Sequence, residues 1–163
     1  MSDVDVDVDV EAVLAVHEAW RASQPGWNYA ALPAVMVKGE KFLQFNLTGQ
    51  VFFSCEELSA VWATLGPLVE TSSSVDVTKP VVWVDGDLAV LTSELSVLTM
   101  KSLTEEMPLP AGVGQIPIGT TDTEVAYRIT EVYRRDDGEG KAEWRMWHAH
   151  YSAVPSGTKA AGA

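Results

Sequence analysis

Two of the three histidines of this sequence stand close together near its C-terminal end, in the stretch EWRMWHAHYS. In a strand, His148 and His150 would share one face, because successive side chains alternate between the two faces. Such a pair can ligate zinc or iron, but a metal site needs at least a third ligand. His17 and Glu94 are the only attractive additions, and no spacing rule ties them to the pair. We therefore predict no metal site.

His17 is the remaining acid-base candidate. It shares an apolar stripe with Val13 and Trp20 in a helix predicted over 9–22, so it should face the interior. One interpretation is a hydrogen-bonded core histidine; the other is a catalytic group opposite a tyrosine such as Tyr151. The residue types leave both open.

Arg128 alternates with Thr130 and Val132 in a predicted strand. If that face lines a pocket, the guanidinium could hold a carboxylate or an enolate oxygen. The competing interpretation is a surface arginine paired with one of the 23 acidic residues. Tryptophans, Trp20 and Trp147 among them, would suit either a flat apolar ligand or a core.

The elements that position these residues change in type along the chain. Ser54 and Glu57 form a capping box before an apolar helical stripe that ends at Gly66, which predicts a helix over 55–65. From residue 69 onward the pattern is of strands joined by turns rich in Asp and Gly. A segment rich in Pro and Gly over 103–122 predicts a long loop, a candidate lid.

Helices followed by strands predict an α+β domain, in which about three helices pack on the concave face of a curved antiparallel sheet. The helices and sheet would form a cone with a pocket at its mouth. We expect a flexible acidic N-terminus over 1–8, a single domain over 9–154 and a flexible tail over 155–163.

The composition excludes several partners. A formal net charge of -12 argues against nucleic acid and anionic membranes, which are bound by clustered Lys and Arg. No apolar run is long enough to cross a membrane, and the first residues do not resemble a signal peptide. We predict a cytoplasmic protein. The single cysteine, Cys55, rules out an internal disulfide.

The order of elements, with the stretches VVWVDGDLAVLTSELSV and YRITEVYRRDDGEGKAEWRMWHAHYS, resembles the nuclear-transport-factor-2-like superfamily over about 9–154. The likeness is to its SnoaL-like branch and to the calcium/calmodulin-dependent kinase association domain, which ends in a similar strand, turn and Trp-x-x-x-His-x-His-x-Ser strand. Here that last strand carries Trp144, His148, His150 and Ser152. The resemblance implies a cone-shaped fold, a homodimer, and a pocket used for varied chemistry or for none.

The resemblance also implies roles for individual residues. Relatives, ketosteroid isomerases included, line the pocket with residues that match Trp147 and Tyr151, which places His148 and His150 on the other face. The aspartate base of ketosteroid isomerases is matched by Asn46, which cannot accept that proton. Their acidic oxyanion donor falls near Thr130 or Glu131, and their helix-one tyrosine near Trp20, so neither match is faithful.

We therefore predict binding of a small, largely apolar or aromatic organic molecule in the cone pocket. Cofactor-free lyase, isomerase or cyclase activity of the SnoaL-like kind is possible, and the sequence leaves open whether the protein is an enzyme. The alternative is a non-enzymatic oligomerisation or accessory domain. The expected pocket residues are Trp20, Asn46, Arg128 and Trp147, with His17 and Tyr151 as catalytic candidates.

Overall fold

The computed structural model describes residues 3–104 and 120–154. The predicted tail over 155–163 and most of the predicted loop over 103–122 lie outside these ranges. The division into flexible ends and a domain over 9–154 therefore stays a prediction.

In the described residues, three α-helices pack against one sheet. Helix α1 (Asp3–Ser23) is followed by two short 3-10 turns and helix α2 (Leu32–Val35), and helix α3 spans Cys55–Leu65. The bounds predicted for α3 are confirmed. Ser54 caps it by accepting a hydrogen bond from the Glu57 backbone N–H at 3.1 Å, and the Glu57 carboxylate accepts from the backbone N–H of Phe53 at 2.7 Å. Both bonds satisfy backbone donors at the start of the helix.

Helix α1 begins earlier than expected. The Asp-Val alternation before residue 9 favours a loose lead-in, but the helix already includes Asp3. Acidic residues near a helix N-terminus interact favourably with its dipole, so a run that repels itself in a strand is acceptable there. Asp9 adds a tertiary anchor, because its carboxylate accepts hydrogen bonds from Arg135 and from the indole N–H of Trp144.

Within residues 3–104 and 120–154, eight strands form the sheet, and the last three are much the longest. The strands are β1 (Leu43–Phe45), β2 (Val51–Phe52), β3 (Val69–Thr71), β4 (Val75–Asp76), β5 (Val81–Asp85), β6 (Leu88–Ser102), β7 (Thr123–Arg135) and β8 (Trp144–Ala153). They run in the order β2-β1-β8-β7-β6-β3, and β4 and β5 also pair with β6.

The predicted α+β class is confirmed, and the sheet curls into a half-barrel around the helices. One detail differs from the expected antiparallel sheet, because β1 pairs with β8 in parallel, with Leu43 opposite His148 and Phe45 opposite His150. A parallel neighbour needs a long connection. Here α3 and the other strands lie between β1 and β8 in the chain.

Strand β8 contains an irregularity that decides which side chains face inward. Tyr133 pairs with Met146 and Val132 pairs with His148, so Trp147 is an extra residue on β8. Such a bulge shifts the alternation by one position. Met146 and Tyr151 are therefore both buried on the concave side, although simple alternation would place them on opposite faces.

Candidate functional site

A cavity lies between the helices and the concave face of the sheet. It encloses about 100 Å³ and is walled by side chains from α1, α3, the β1–β2 hairpin and the long strands. Its aromatic members are Trp20, Trp27, Phe52, Trp62, Tyr127 and Tyr151, and its polar members are Gln24, Gln44, Asn46, Thr48, Gln50 and Thr71. In the described part of the chain, no acidic, basic or histidine side chain lines this cavity.

Stacked aromatic rings form one wall. The Trp20 ring lies between Trp62, at 5.2 Å between ring centres, and Tyr151, at 6.1 Å. Trp27 meets Trp62 edge to face at 5.4 Å, and its indole N–H donates to the backbone oxygen of Val69 at 2.6 Å. Aromatic pairs in these geometries are stabilising and hold one another in place. The wall therefore presents an apolar aromatic surface to any molecule in the cavity.

The polar residues of the lining include oxygen atoms that lack hydrogen-bond partners. Gln44 on β1 is only 2% exposed, and no group hydrogen-bonds its Oε1 atom. Two further buried oxygens of the same hairpin, Thr48 Oγ1 and Gln50 Oε1, also lack a partner. Buried polar atoms without partners are rare in folded proteins and call for an explanation such as a ligand or water.

Behind Tyr151 lies a carboxylate that the cavity does not reach. Glu131 on β7 has no exposed surface and accepts from the hydroxyls of Tyr151 at 2.9 Å and Tyr133 at 2.6 Å. The Nδ1 atom of His17 lies 2.7 Å from the same carboxylate. Burial is the main reason that the pKa of Tyr151 lies well above 10, and the neighbouring charge of Glu131 adds to it. Tyr151 is therefore a neutral hydroxyl at pH 7.

His17 is held between two carboxylates. Its Nε2 atom lies 3.1 Å from Asp76, on the side away from Glu131. Burial alone would lower the pKa of His17, but the charge of Glu131 and the hydrogen bonds to Asp76 and Glu131 raise this pKa to about 10. At pH 7 the ring is thus a cation whose two N–H groups both donate.

Asp76 completes the buried network. It accepts from Arg21 at 3.0 Å and from the hydroxyl of Ser96 at 2.6 Å. Burial opposes its ionisation, but the hydrogen bonds from His17 and Ser96 hold the pKa of Asp76 below its ordinary value. Two carboxylates thus face two cations, which keeps the network close to neutral. Fully paired buried charges of this kind are expensive to break.

The structure brings three of the predicted pocket residues together. Trp20, Asn46 and Tyr151 all line the cavity. His17 is close to them but outside the lining, because Glu131 lies between it and the Tyr151 hydroxyl.

Two predicted pocket residues lie elsewhere, and both predictions need correction. Arg128 is exposed on the outer face of the sheet, since its inward neighbours Tyr127 and Ile129 take the buried positions. Trp147 is displaced outward by the bulge in β8. Its indole N–H donates to the backbone oxygen of Asp136 at 2.9 Å, and the Arg134 guanidinium lies 4.6 Å from its ring centre.

The histidine pair lies on the outer side of β8. His148 Nδ1 donates to the backbone oxygen of Leu43 at 2.9 Å, and the Phe45 ring contacts both imidazoles edge to face. The two histidines thus hold the parallel pair of β1 and β8. Among residues 3–104 and 120–154, no three His, Cys, Asp or Glu side chains are arranged to hold a metal ion.

Sequence reasoning missed Gln44 and gave Glu131 only an uncertain place. Glu131 did carry a signal, because an acidic residue stands in β7 at a position where its neighbours Ile129 and Tyr133 face inward. Gln44 carried a similar signal, since it alternates with Leu43 and Phe45. A strand this short does not reveal which face is buried.

Similar solved structures come from several organisms. A nuclear-transport-factor-2-like superfamily protein from Salmonella enterica has a TM-score of 0.69 at 12% identity, covering 91% of this chain and 93% of its own. A candidate dehydratase of the NTF2-like family from Streptomyces avermitilis has a TM-score of 0.63 at 19% identity, with 92% and 99% covered. A candidate calcium/calmodulin-dependent protein kinase II association domain from Xanthomonas campestris has a TM-score of 0.58 at 18% identity, with 88% and 86% covered.

These structures show the fold. No family model matches the sequence, and no curated protein matches it either. The chain has the nuclear-transport-factor-2-like fold that the resemblance predicted. In the described ranges, no helix is long and apolar enough to span a membrane.

Proposed function

We propose that this protein binds a small, largely apolar or aromatic organic molecule in the cavity of its cone. The observation that carries the proposal is the stacked wall of Trp20, Trp62 and Tyr151 in a cavity whose lining is mostly apolar. Small-molecule sites combine such walls with a few placed polar groups. Here Gln44 and Tyr151 supply the polar groups.

The size of the cavity limits the ligand. An engineered apolar cavity of about 150 Å³ binds benzene. The cavity of this protein, at about 100 Å³, is of the same order. The enclosed part of the ligand is therefore about as large as one aromatic ring.

Filling the cavity tests this proposal. Val61 lines the cavity from α3, whereas Ala63 is exposed on the same helix. Val61→Phe should weaken toluene binding at least about tenfold, because the added ring occupies the ligand's volume. Ala63→Phe, the matched control, should bind toluene like the unmodified protein. Ligand-observed NMR titration measures both, and circular dichroism checks that each variant is folded.

Two outcomes would overturn it. One is that the unmodified protein fails to bind toluene, phenol or anisole at millimolar concentration. The other is that Val61→Phe and Ala63→Phe bind toluene equally well.

A second candidate function is acid-base catalysis without a cofactor, of the lyase, isomerase or cyclase kind. The hydrogen bond from Tyr151 to Glu131 favours it, since a tyrosine backed by an acid is a common catalytic pair. One of the similar solved structures is described as a candidate dehydratase of the NTF2-like family. Tyr151 would be the group at the substrate, and His17 would act through Glu131. Tyr151→Phe and His17→Ala would then both abolish turnover of a ring-sized substrate.

Binding is the stronger of the two proposals. Because the pKa of Tyr151 is high, its hydroxyl stays protonated at pH 7. It is therefore a poor acid and cannot act as a general base. His17 does not reach the cavity, and both of its ring nitrogens are already engaged. Asn46, which does line the cavity, has no titratable proton.

We also propose a homodimer formed by the outer face of the sheet. A row of paired residues crosses five strands there: Trp83, Val90, Val132, His148 and Leu43. Trp83 is 57% exposed, and Phe45, in the next row, is 40% exposed. An apolar row of this extent is typical of protein interfaces. The similar solved structures include candidate kinase association domains, which agrees with a role in assembly.

The oligomerisation or accessory function that the sequence left as an alternative requires that outer face but not the cavity. The cytoplasmic location stays a prediction.

A further inference from the structure

The cavity contains a hydrogen-bond acceptor that the protein itself does not satisfy. Gln44 is almost completely buried, lines the cavity, and has an Oε1 atom without any partner. By contrast, Gln24, the other buried glutamine of the lining, uses its Oε1 to accept from the backbone N–H of Ser74 at 2.6 Å. The protein therefore satisfies one of the two amides and leaves the other facing the cavity.

Tyr151 also lines the cavity, and its hydroxyl oxygen is a second acceptor. Its single hydroxyl proton is donated to Glu131, which already receives hydrogen bonds from Tyr133 and His17. An ionised carboxylate can only accept, so the tyrosine must be the donor in this pair. The lone pairs of the Tyr151 oxygen remain for a ligand. A ligand that brings an O–H or N–H group thus has acceptors on two lining residues, Gln44 and Tyr151.

The charge of the site favours a neutral ligand. In the described chain no charged side chain lines the cavity. Behind it, Glu131 and Asp76 are balanced by His17 and Arg21. An ionised ligand would lose its hydration without gaining a counter-charge, which is costly in a buried site.

Accepting the proposed binding function, on which this step rests, we propose that the natural ligand is a neutral, ring-sized molecule that donates a hydrogen bond to Gln44. A phenol or an alcohol of a small ring system has this chemistry. The aromatic wall of Trp20 and Trp62 holds the ring, and Gln44 Oε1 receives the hydroxyl proton. The Tyr151 oxygen is a second acceptor for that proton.

A set of four matched probes tests the proposal on the full chain at pH 7. Phenol carries the ring and the donor, anisole has the same ring and oxygen without the donor, toluene has the ring alone, and benzoate carries a negative charge. We expect phenol to bind about tenfold more tightly than anisole or toluene, because only phenol satisfies the buried acceptor. Benzoate should not bind at the same concentrations. Isothermal titration calorimetry or ligand-observed NMR gives the four dissociation constants.

One substitution assigns the preference to Gln44. Gln44→Met keeps the length of the side chain but removes the acceptor, so phenol and toluene should bind within about twofold of each other. Glu70→Met is the control at a strand position outside the cavity. Glu70 is exposed on β3 and does not line the cavity, so this variant should retain the phenol preference.

The outcomes separate the two proposals. Equal binding of phenol and toluene, tighter binding of anisole or benzoate, or an unchanged preference in Gln44→Met would overturn the donor proposal while the binding function stands. No binding by any of the four probes would overturn both. If Gln44→Met does not fold, the dissociation constants of the four probes for the unmodified protein still test the donor proposal.

Discussion

Glu131 joins three other buried side chains in the interior of this protein. Its carboxylate has no exposed surface, yet it accepts from two tyrosine hydroxyls and from His17. A buried carboxylate is tolerated only when it is paired and hydrogen-bonded. The same bonds fix the direction of the Tyr151 hydroxyl, so the network determines what the cavity offers to a ligand.

The raised pKa of His17 predicts a dependence of stability on pH. The folded protein keeps the proton up to a pH of about 10, whereas the unfolded chain loses it near 6.5. The folded state therefore binds more protons between these values, and stability falls as the pH rises. From pH 7 to 8.5, the free energy of unfolding should decrease by up to about 1.4 kcal/mol per pH unit. Urea denaturation followed by tryptophan fluorescence measures it.

His17→Gln should remove that slope and should also be less stable, because it leaves Glu131 and Asp76 without their shared cation. His150→Gln, a change of an exposed histidine on β8, should keep the slope of the unmodified protein. A flat profile in the unmodified protein between pH 7 and 8.5 would contradict the ion-paired state of His17.

At the scale of elements, the bulge in β8 determines which residues reach the cavity. Without it, Trp147 and Tyr151 would share a face, as strict alternation requires. With it, Tyr151 faces the cavity while Trp147 packs outside against Arg134 and the turn at Asp136. One extra residue thus separates two aromatic side chains that the sequence pattern groups together.

This separation predicts different effects for two tryptophan substitutions. Trp147→Phe should leave toluene affinity within about twofold of the unmodified protein, although loss of the bond to Asp136 should cost about 1 kcal/mol of stability. Trp20→Phe should weaken toluene binding about fivefold, because the smaller ring stacks less well in the wall. NMR titration gives the affinities and urea denaturation the stabilities. A larger effect on affinity from Trp147→Phe than from Trp20→Phe would place the ligand elsewhere.

At the scale of the whole molecule, the curled sheet has two faces with different uses. The concave face packs the helices and forms the cavity. The outer face carries the row from Trp83 to Leu43 and the exposed ring of Phe45. Because the cavity and the proposed interface lie on different faces of the sheet, substitutions can test ligand binding and assembly separately.

The proposed homodimer predicts a change in mass when the centre of the outer row is charged. The unmodified protein should sediment at twice its chain mass of 17.7 kDa at physiological salt. Val132→Glu should sediment as a monomer, because it buries an unpaired charge in the interface. Thr64→Glu, at an exposed position of α3, should remain a dimer. Analytical ultracentrifugation distinguishes these states, and a monomeric unmodified protein would exclude the dimer.

Local patterns in the sequence determined the helix Cys55–Leu65, the long strands after residue 69 and the order of elements, because caps, turns and apolar periodicity act between near neighbours. The resemblance to the nuclear-transport-factor-2-like superfamily then predicted the cone-shaped fold. The same local patterns could not show that a bulge turns Trp147 outward, that β1 pairs in parallel with β8, or that Glu131 joins His17 across 114 positions. Those features arise when distant segments pack, since only the assembled interior decides which face of a strand is buried and which polar groups find partners.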